Sequence, residues 1–206
     1  MARPLTMRLG AIILVGGRSS RFGRDKSLLD VGGASALLRV VGAVQPLVDE
    51  VLLVGGSPRF EATGLRWVAD DVTEGGPLGG LVSGLRALEA DACFALACDT
   101  PLLSTSLLAC LRDVWAAQRD VQVVVPRLSA GLEPLVAIYG RAARSALEEA
   151  LKRGERALHR VLARMRVCEV SESTLREVDP ELDGFLNINT PADLERVLAC
   201  IALRPI

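Results

Sequence analysis

The length, composition and charge of the chain limit what it can be. At 206 residues it suits one domain, and since half of its residues are apolar but only 3% are aromatic, its core must be built from aliphatic side chains. The 24 basic and 25 acidic residues leave a formal net charge of −1, so the chain carries no basic field for a nucleic-acid backbone.

Cysteine usage and the N-terminal segment favour a cytoplasmic protein. The five cysteines are odd in number and form no C-x-x-C pair, which favours buried thiols in a reducing compartment over a disulfide scaffold or a zinc site. The apolar run after Arg8 ends at Val15 without a small-x-small cleavage pattern, so it predicts a buried strand rather than a signal peptide. No apolar run approaches the ~20 residues of a membrane span. We therefore expect neither a membrane nor a nucleic acid as a partner.

In chain order, short β-branched runs alternate with longer stretches of helical spacing. The predicted strands are 11–15, 51–54, 66–69, 93–98, 121–125 and 132–139, with a further candidate at 167–170. The predicted helices are 34–47, 77–90 and 104–119, one or two helices within 141–164 interrupted at Gly154, and a final helix that Thr190 caps and Pro191 begins. Nearly continuous apolar strands separated by helices predict an α/β fold, a Rossmann-like three-layer sandwich with a mostly parallel central sheet. We expect one domain over residues 1–206.

The most informative segment is LVGGRSSRFGRDKSLL, residues 14–29. The first predicted strand ends at Val15, and the loop that follows mixes glycines with cations: Gly16, Gly17, Gly23, Arg18, Arg21, Arg24 and Lys26. Glycines let backbone N–H groups approach an anion closely, and cations offset its charge. Because open α/β sheets bind ligands at the carboxyl ends of their strands, we expect a triphosphate here, with a solvated basic turn as the alternative.

This loop matches neither of the two better-known phosphate-binding motifs. The dinucleotide fingerprint G-x-G-x-x-G is absent, which argues against an NAD-dependent oxidoreductase. The P-loop pattern is broken because Arg24 and Asp25 separate Gly23 from the Lys-Ser pair.

Two acidic positions follow predicted strands. Asp99 comes directly after the strand 93–98, where a carboxylate suits Mg²⁺, which takes one or two carboxylates with phosphate oxygens and water. The alternative is that Asp99 caps a helix over 101–111, whose start Thr100 and Pro101 would also allow. Asp70 ends another strand and precedes TEGGPLGG, whose glycines permit close approach to a base or ribose.

Four segments in this order resemble the molybdenum cofactor guanylyltransferases: LVGGRSSRFGRDKSLL, GGPLGG, ACDTPLL and FLNINTPADL. GLEPLVAIY and the GER of residues 154–156 look similar too, and the resemblance extends from about Leu9 to Leu198. The first segment and the CDTPL cluster are typical of the wider nucleotidyltransferase superfamily. The LxGG start and the NxNTP ending narrow the resemblance to this family.

The resemblance implies a single nucleotidyltransferase domain that transfers GMP from GTP to the terminal phosphate of molybdopterin and releases pyrophosphate, with Mg²⁺ as cofactor. Its partners would be GTP and molybdopterin, together with transient contacts to enzymes that make the cofactor or receive the product. The alternative within the class is a cytidylyltransferase for the same pterin or another phosphorylated small molecule. A non-catalytic nucleotide-binding regulator is the alternative outside it, and it has little need of both Lys26 and Asp99.

The resemblance also assigns roles to individual residues. The nucleotide set is Leu14, Val15, Gly16, Gly17, Gly55 and Asp70, with Lys26 on the phosphates and Asp99 on the metal. Gly55 falls where some relatives have an Asn that contacts the nucleotide, so a side-chain contact would be missing there. Arg156, Asn187 and Asn189 look like the pterin-side or metal-side set, while Glu133 stands where a neutral polar residue or His is frequent.

The two asparagines and the catalytic cations complete the expected site. Asn187 and Asn189 are predicted to alternate along a strand and so face the same side, unless they only shape the turn before the last helix. A phosphate acceptor, whose second pKa is about 6, is already ionised near neutral pH and needs no strong base, and His159 is expected to be structural. Lys26, Arg21 and Mg²⁺ on Asp99 would stabilise the charge that develops on pyrophosphate.

Overall fold

The computed structural model of the chain describes residues 7–15, 26–57, 60, 63–72 and 75–203. Its strands are β1 Leu9–Leu14, β2 Glu50–Val54, β3 Arg66–Val68, β4 Ala92–Ala97, β5 Val123–Leu128, β6 Gly131–Leu132, β7 Val136–Gly140 and β8 Val167–Ser171. Its helices are α1 Ala36–Val44, α2 Gly76–Ala87, α3 Thr105–Ala117, α4 Arg144–Lys152, α5 Leu158–Leu162, α6 Glu172–Arg176 and α7 Pro191–Leu203. The predicted break at Gly154 separates α4 from α5, where this glycine has a φ of 81°.

These strands form one eight-stranded sheet in the order β3-β2-β1-β4-β7-β5-β6, with β8 also paired to β5. The pairs β2–β3, β1–β2, β1–β4 and β5–β8 are parallel, and β7 runs antiparallel to both β4 and β5. The centre of the sheet is therefore parallel, as the sequence predicts. The antiparallel β7 begins at the edge of the sheet where β1 and β4 end.

Both faces of the sheet are covered, which explains the continuous apolar strands. Along β1, Ala11 and Ile13 pack in one core cluster with residues of α1 and α3, whereas Ile12 and Leu14 pack in a second cluster with residues of α2, α4 and α5. Neighbouring side chains of a strand point to opposite faces, so each face needs its own apolar set. The result is the predicted three-layer α/β/α sandwich.

Helix α2 lies unusually close to β1 because glycines line the face that it presents to the sheet. A Cβ atom on Gly80 would lie 3.1 Å from Leu14 Cδ2, and one on Gly84 would lie 2.8 Å from both Cδ1 and Cγ2 of Ile12. Glycines four residues apart lie on the same face of a helix, so the contact extends over two turns. This close approach brings the N-terminus of α2 beside the carboxyl end of β1.

A third, smaller apolar cluster attaches the C-terminal helix. Ile188 is fully buried there with Val31, Leu102 and Val197. Helix α7 begins as predicted: the hydroxyl of Thr190 accepts the N–H of Asp193 at 3.2 Å, and the Asp193 carboxylate accepts the N–H of Thr190 at 2.8 Å. This is a reciprocal capping box.

Two sequence predictions of secondary structure are wrong, and a third is confirmed. Residues 132–139 do not form one strand, because the chain turns at 134–135 between β6 and β7, where Pro134 has no N–H to contribute to a ladder. Helix α3, Thr105–Ala117, confirms the predicted helix 104–119 rather than the alternative over 101–111, and its cap is Ser104, whose hydroxyl accepts the N–H of Leu107. Residues 186–189 lie outside any strand.

Among the described residues, every helix is too short or too polar to cross a membrane.

Replacement of Gly84 by alanine should destabilise the fold, because the added methyl group would overlap Ile12. Overpacking of this kind typically costs about 1–3 kcal/mol. Guanidinium unfolding should show a lower midpoint at an unchanged m-value. The matched control is Gly42→Ala in α1, an exposed site with no atom within 4 Å of the new Cβ, where alanine should instead stabilise the helix by about 0.5–1 kcal/mol. Equal effects of the two changes would contradict the close packing of α2 on β1.

Candidate functional site

The sheet topology places a crevice at the carboxyl ends of β1 and β4. The connection from β1 to β2 runs through α1 on one face, whereas the connection from β3 to β4 runs through α2 on the other face. Where neighbouring connections leave in opposite directions, the loops separate and leave space between them. A cavity of about 590 Å³ lies there, within the range of about 300–1,000 Å³ that is typical of small-molecule sites.

Five parts of the chain form the walls of this cavity. They are the ends of the first two strands (Leu14, Val54, Gly55 and Gly56), Asp70 with the start of α2 (Gly76, Pro77 and Gly80), the end of β4 (Ala97, Cys98, Asp99 and Thr100), the turn before β7 (Glu133, Pro134, Leu135 and Val136), and Asn187 with Asn189.

Gly55 is held in place by its backbone. It has a φ of 87°, its N–H donates to the carbonyl of Val68 at 3.0 Å, and its carbonyl accepts the indole N–H of Trp67 at 2.7 Å. A positive φ is readily adopted by glycine, and Asn is among the few other residues that tolerate it. With glycine here, the wall at the end of β2 is bare backbone that a flat ring could approach.

Asp70 is oriented by its neighbours on the loop and on α2. Its Oδ1 accepts the N–H of Val72 and the hydroxyl of Ser83, both at 3.0 Å. Asp71 also accepts a hydrogen bond from Ser83, which together with Arg86 holds the pKa of the Asp71 carboxyl below its usual range. The single hydroxyl proton of Ser83 is shared between the two aspartates, so the position of Asp70 in the cavity follows that of α2.

Asp99 lies two residues beyond the end of β4, in partly buried surroundings. Burial raises the pKa of its carboxyl above the usual range, and the positive charge of Lys26 opposes this shift. The adjacent Cys98 is a poor nucleophile, because burial raises the pKa of its thiol to about 12. With Ser104 as the cap of α3, the alternative helix-capping role for Asp99 is excluded. The carboxylate is therefore free to serve a ligand in the cavity.

Lys26, from the N-terminal part of the chain, lies near Asp99 and Asn189. It begins a short 3-10 turn, Lys26–Leu28, and its Nζ donates to Oδ1 of Asn189 at 2.7 Å. Its charge also acts on Asp99. A lysine, an aspartate and an asparagine from three distant segments thus meet at one edge of the cavity.

Asn187 and Asn189 are placed by the residue between them. The N–H of Ile188 donates to the carbonyl of Asp99 at 2.8 Å, and its side chain is buried in the third apolar cluster. The two asparagines flank this anchor and both line the cavity, so the sequence prediction that they face the same side is confirmed although the strand is absent.

The predicted site residues thus fall into three groups. Those that line the cavity are Leu14, Gly55, Asp70, Asp99, Asn187 and Asn189, with Lys26 bonded to the last of them. Gly16, Gly17 and Arg21 lie outside the described residues. Two others are described but are not part of the cavity wall: Val15, whose side chain is buried in the core, and Arg156, whose guanidinium donates to the carbonyl of Glu155 at 2.9 Å. The expected pterin-side role of Arg156 stays a prediction.

Sequence reasoning missed the wall formed by residues 133–136. The segment resembles a strand by composition, and only the proline in its centre indicates a turn. A carboxylate next to a proline inside an apolar run was the signal that could have identified Glu133 as a site residue.

Comparison with known proteins agrees with this geometry. The MobA-like NTP transferase domain matches residues 11–170. A probable molybdenum cofactor guanylyltransferase of Pelotomaculum thermopropionicum is 36% identical over 191 residues, covering 91% of this chain and 92% of the relative. The molybdenum cofactor guanylyltransferase of Desulfosudis oleivorans is 34% identical, covering 92% and 94%.

A solved structure extends the agreement to three dimensions. The molybdopterin-guanine dinucleotide biosynthesis protein A of Archaeoglobus fulgidus superposes with a TM-score of 0.80 at 26% identity, covering 95% of this chain and 100% of that one. The chain therefore belongs to the molybdenum cofactor guanylyltransferase family of MobA-like NTP transferases.

Proposed function

We propose that the protein transfers the GMP group of GTP to the terminal phosphate of molybdopterin, releases pyrophosphate and requires Mg²⁺, with residues 1–206 acting as one domain in the cytoplasm. The observation that carries the proposal is the meeting of Leu14, Gly55 and Asp70 with Asp99 in one cavity at the carboxyl edge of the sheet. The chain's membership in the family supports the identity of both substrates.

The residues at the end of β4 fit a magnesium ion. The described residues hold no group of three or more His, Cys, Asp or Glu side chains suited to a metal, and Asp99 is the cavity-lining carboxylate at the end of β4 that would hold the ion. Mg²⁺ commonly binds through one or two carboxylates and takes its remaining ligands from phosphates and water. When bound, the ion would neutralise charge on the phosphate oxygens.

The residues of the chain would act by positioning and by electrostatics. The acceptor phosphate oxygen attacks the α-phosphorus of GTP, one P–O bond forms, and the bond to the leaving pyrophosphate breaks. A phosphate acceptor, with a second pKa of about 6, is already ionised near neutral pH, so the cavity needs no strong general base. Lys26 would offset the charge of the triphosphate, while Asn189 holds the lysine amino group without adding negative charge.

A direct test uses each nucleoside triphosphate labelled at its α-phosphate, with Mg²⁺ and molybdopterin. Label should pass to the pterin from GTP and depend on the metal. Transfer from CTP instead would establish the cytidylyltransferase alternative, and binding of GTP without transfer to any acceptor would establish a regulator.

Asp99→Asn should nearly abolish transfer without destabilising the fold. Burial raises the pKa of this carboxyl, so its charged form is disfavoured in the folded protein and a neutral side chain of the same shape relieves that penalty. Tm should therefore stay equal or rise while Mg²⁺-dependent turnover is lost. Asp120→Asn, at an exposed turn, is the control and should change neither. Full activity of Asp99→Asn would remove it from the metal site.

Lys26→Ala should impair the use of GTP. Loss of one charge-assisted hydrogen bond costs about 1.5–3 kcal/mol, which is about a 10- to 150-fold lower kcat/KM for GTP. Lys152→Ala, which removes an exposed lysine at the end of α4, is the control with expected wild-type kinetics. Unchanged kcat/KM in Lys26→Ala would show that the lysine does not contact the nucleotide.

The acceptor is expected on the side of the cavity formed by the C-terminal segment. Asn187→Ala and Arg156→Ala should raise the KM for molybdopterin and leave the Kd for GTP nearly constant. Asn189→Ala should weaken both, because Asn189 also holds Lys26. Arg119→Ala, at an exposed position after α3, is the control. If Asn187→Ala and Arg156→Ala instead weaken GTP binding alone, the acceptor lies elsewhere.

A further inference from the structure

One acidic side chain in the cavity has no role in the reaction described above. Glu133 lines the cavity and is partly buried. Its carboxylate has neither a hydrogen-bond nor an ion-pair partner among the residues that the structure describes. Burial raises the pKa of this carboxyl, and no cation among the described residues opposes the shift. A carboxylate that is partly removed from water and left without a partner is costly unless a ligand supplies hydrogen-bond donors.

The backbone that carries Glu133 is held rigidly. Its N–H donates to the carbonyl of Pro126 and its carbonyl accepts the N–H of Val136, both at 3.1 Å. The hydroxyl of the buried Tyr139 donates to the carbonyl of Pro134 at 3.0 Å, and the carbonyl of Leu135 accepts the N–H of Ala97 at 3.2 Å. The turn is thus attached to β5, β7 and β4, so Glu133 approaches any ligand from a preset position.

Sheet order places Glu133 in the half of the cavity away from the proposed nucleoside position. Across the edge of the sheet, the lining residues follow the order β3, β2, β1, β4, β7, which is Asp70, Gly55, Leu14, Asp99 and then the turn of Glu133. If the nucleoside lies against Gly55 and Asp70, the metal and phosphates lie near Asp99. Glu133 then faces the space that remains for the acceptor.

The charge of Glu133 determines which part of an acceptor it can bind. A carboxylate repels phosphate oxygens, and the described cation at the wall, Lys26, is bonded on the side of Asn189. With no partner among the described residues, the Glu133 carboxylate suits N–H donors that a ligand supplies. Two adjacent donors in one plane match the two oxygens of a carboxylate best.

We propose that Glu133 is a specificity-determining residue for the acceptor. Its carboxylate accepts hydrogen bonds from the ring N–H and from the adjacent amino group of a 2-amino-4-oxopyrimidine edge. A pterin ring presents this edge, so the inference rests on the proposed function and assigns a recognition element to its acceptor. Guanine presents the same pair of donors, and the position of Glu133 beyond Asp99 favours the pterin over the nucleobase.

The test compares ligands that differ at this edge. Pterin and lumazine, in which a carbonyl replaces the amino group, are titrated by fluorescence into the protein with Mg²⁺ and a non-hydrolysable α,β-methylene GTP. The wild type should prefer pterin by about 10- to 100-fold, the discrimination expected of a bidentate contact. Glu133→Gln should lose most of this preference, because its amide offers one acceptor and one misplaced donor. Glu133→Asp keeps both acceptors and should retain part of it, and Glu195→Gln on α7 should match the wild type.

A second arm distinguishes pterin from guanine. The ratio of Kd values for ITP and GTP reports recognition of the guanine amino group, and it should be the same in the wild type and in Glu133→Gln. Loss of that ratio would show that Glu133 binds the nucleobase, and loss of Mg²⁺ affinity with both preferences intact would make it a metal ligand. A wild type without pterin preference, or a preference that survives in Glu133→Gln, would also overturn the proposal.

The two proposals can fail separately. GMP transfer to molybdopterin by the wild type, with unchanged pterin preference in Glu133→Gln, would overturn only the role of Glu133. Pterin preference that depends on Glu133, without any GMP transfer, would support that role and overturn the proposed function.

Discussion

The register between β1 and β4 is the constraint on which the site depends. Leu14 pairs with Ala97 at the last position of the two strands, and the next backbone bond runs from Cys98 N–H to the carbonyl of Leu14 at 3.2 Å. This register places Leu14, which lines the nucleoside half of the cavity, beside the end of β4, two residues before Asp99. A slip of one residue would turn Asp99 away from the cavity, because side chains alternate across a strand. Buried side chains on both faces of both strands oppose such a slip, so core packing determines where Asp99 lies in the cavity.

The cavity contains two carboxyl groups whose ionised forms are disfavoured by burial. Burial disfavours the ionised forms of both Asp99 and Glu133, and only Asp99 has the charge of Lys26 to oppose this effect. Groups of this kind persist where a ligand compensates them, and they cluster at functional sites for that reason. The difference between the two carboxylates divides the site: Asp99 lies beside a lysine and suits phosphate and metal, while Glu133 has no cation beside it in the described part of the chain and suits N–H donors of a ligand.

The parts of the site that could be predicted from sequence are those with a local pattern. Continuous apolar runs identified β1 and β4, and the polar residue that follows such a run identified Asp99. The wall of Glu133 has no such pattern, because β7 joins the sheet as an antiparallel strand and only long-range pairing brings its first residues beside β4. The prediction that Asn187 and Asn189 face the same side is correct, but the physical reason differs from the expected one. Burial of Ile188 and its bond to Asp99, rather than a strand, direct them to one side.

This long-range anchoring separates the asparagine wall from the rest of the cavity along the chain. The residues proposed for the nucleoside, the metal and the pterin edge all lie within 11–170, the range matched by the MobA-like domain. Asn187 and Asn189 lie beyond it, on a segment attached by Ile188 to the apolar cluster that also holds Val197 of α7. Packing of α7 therefore sets the height of the asparagine wall through an apolar cluster separate from those that hold β1 and β2. Substitutions in that cluster would shift the asparagine wall and, through the bonds from Asn189 to Lys26 and from Ile188 to Asp99, the phosphate end of the cavity, whereas Gly55 and Asp70 are held by other parts of the fold.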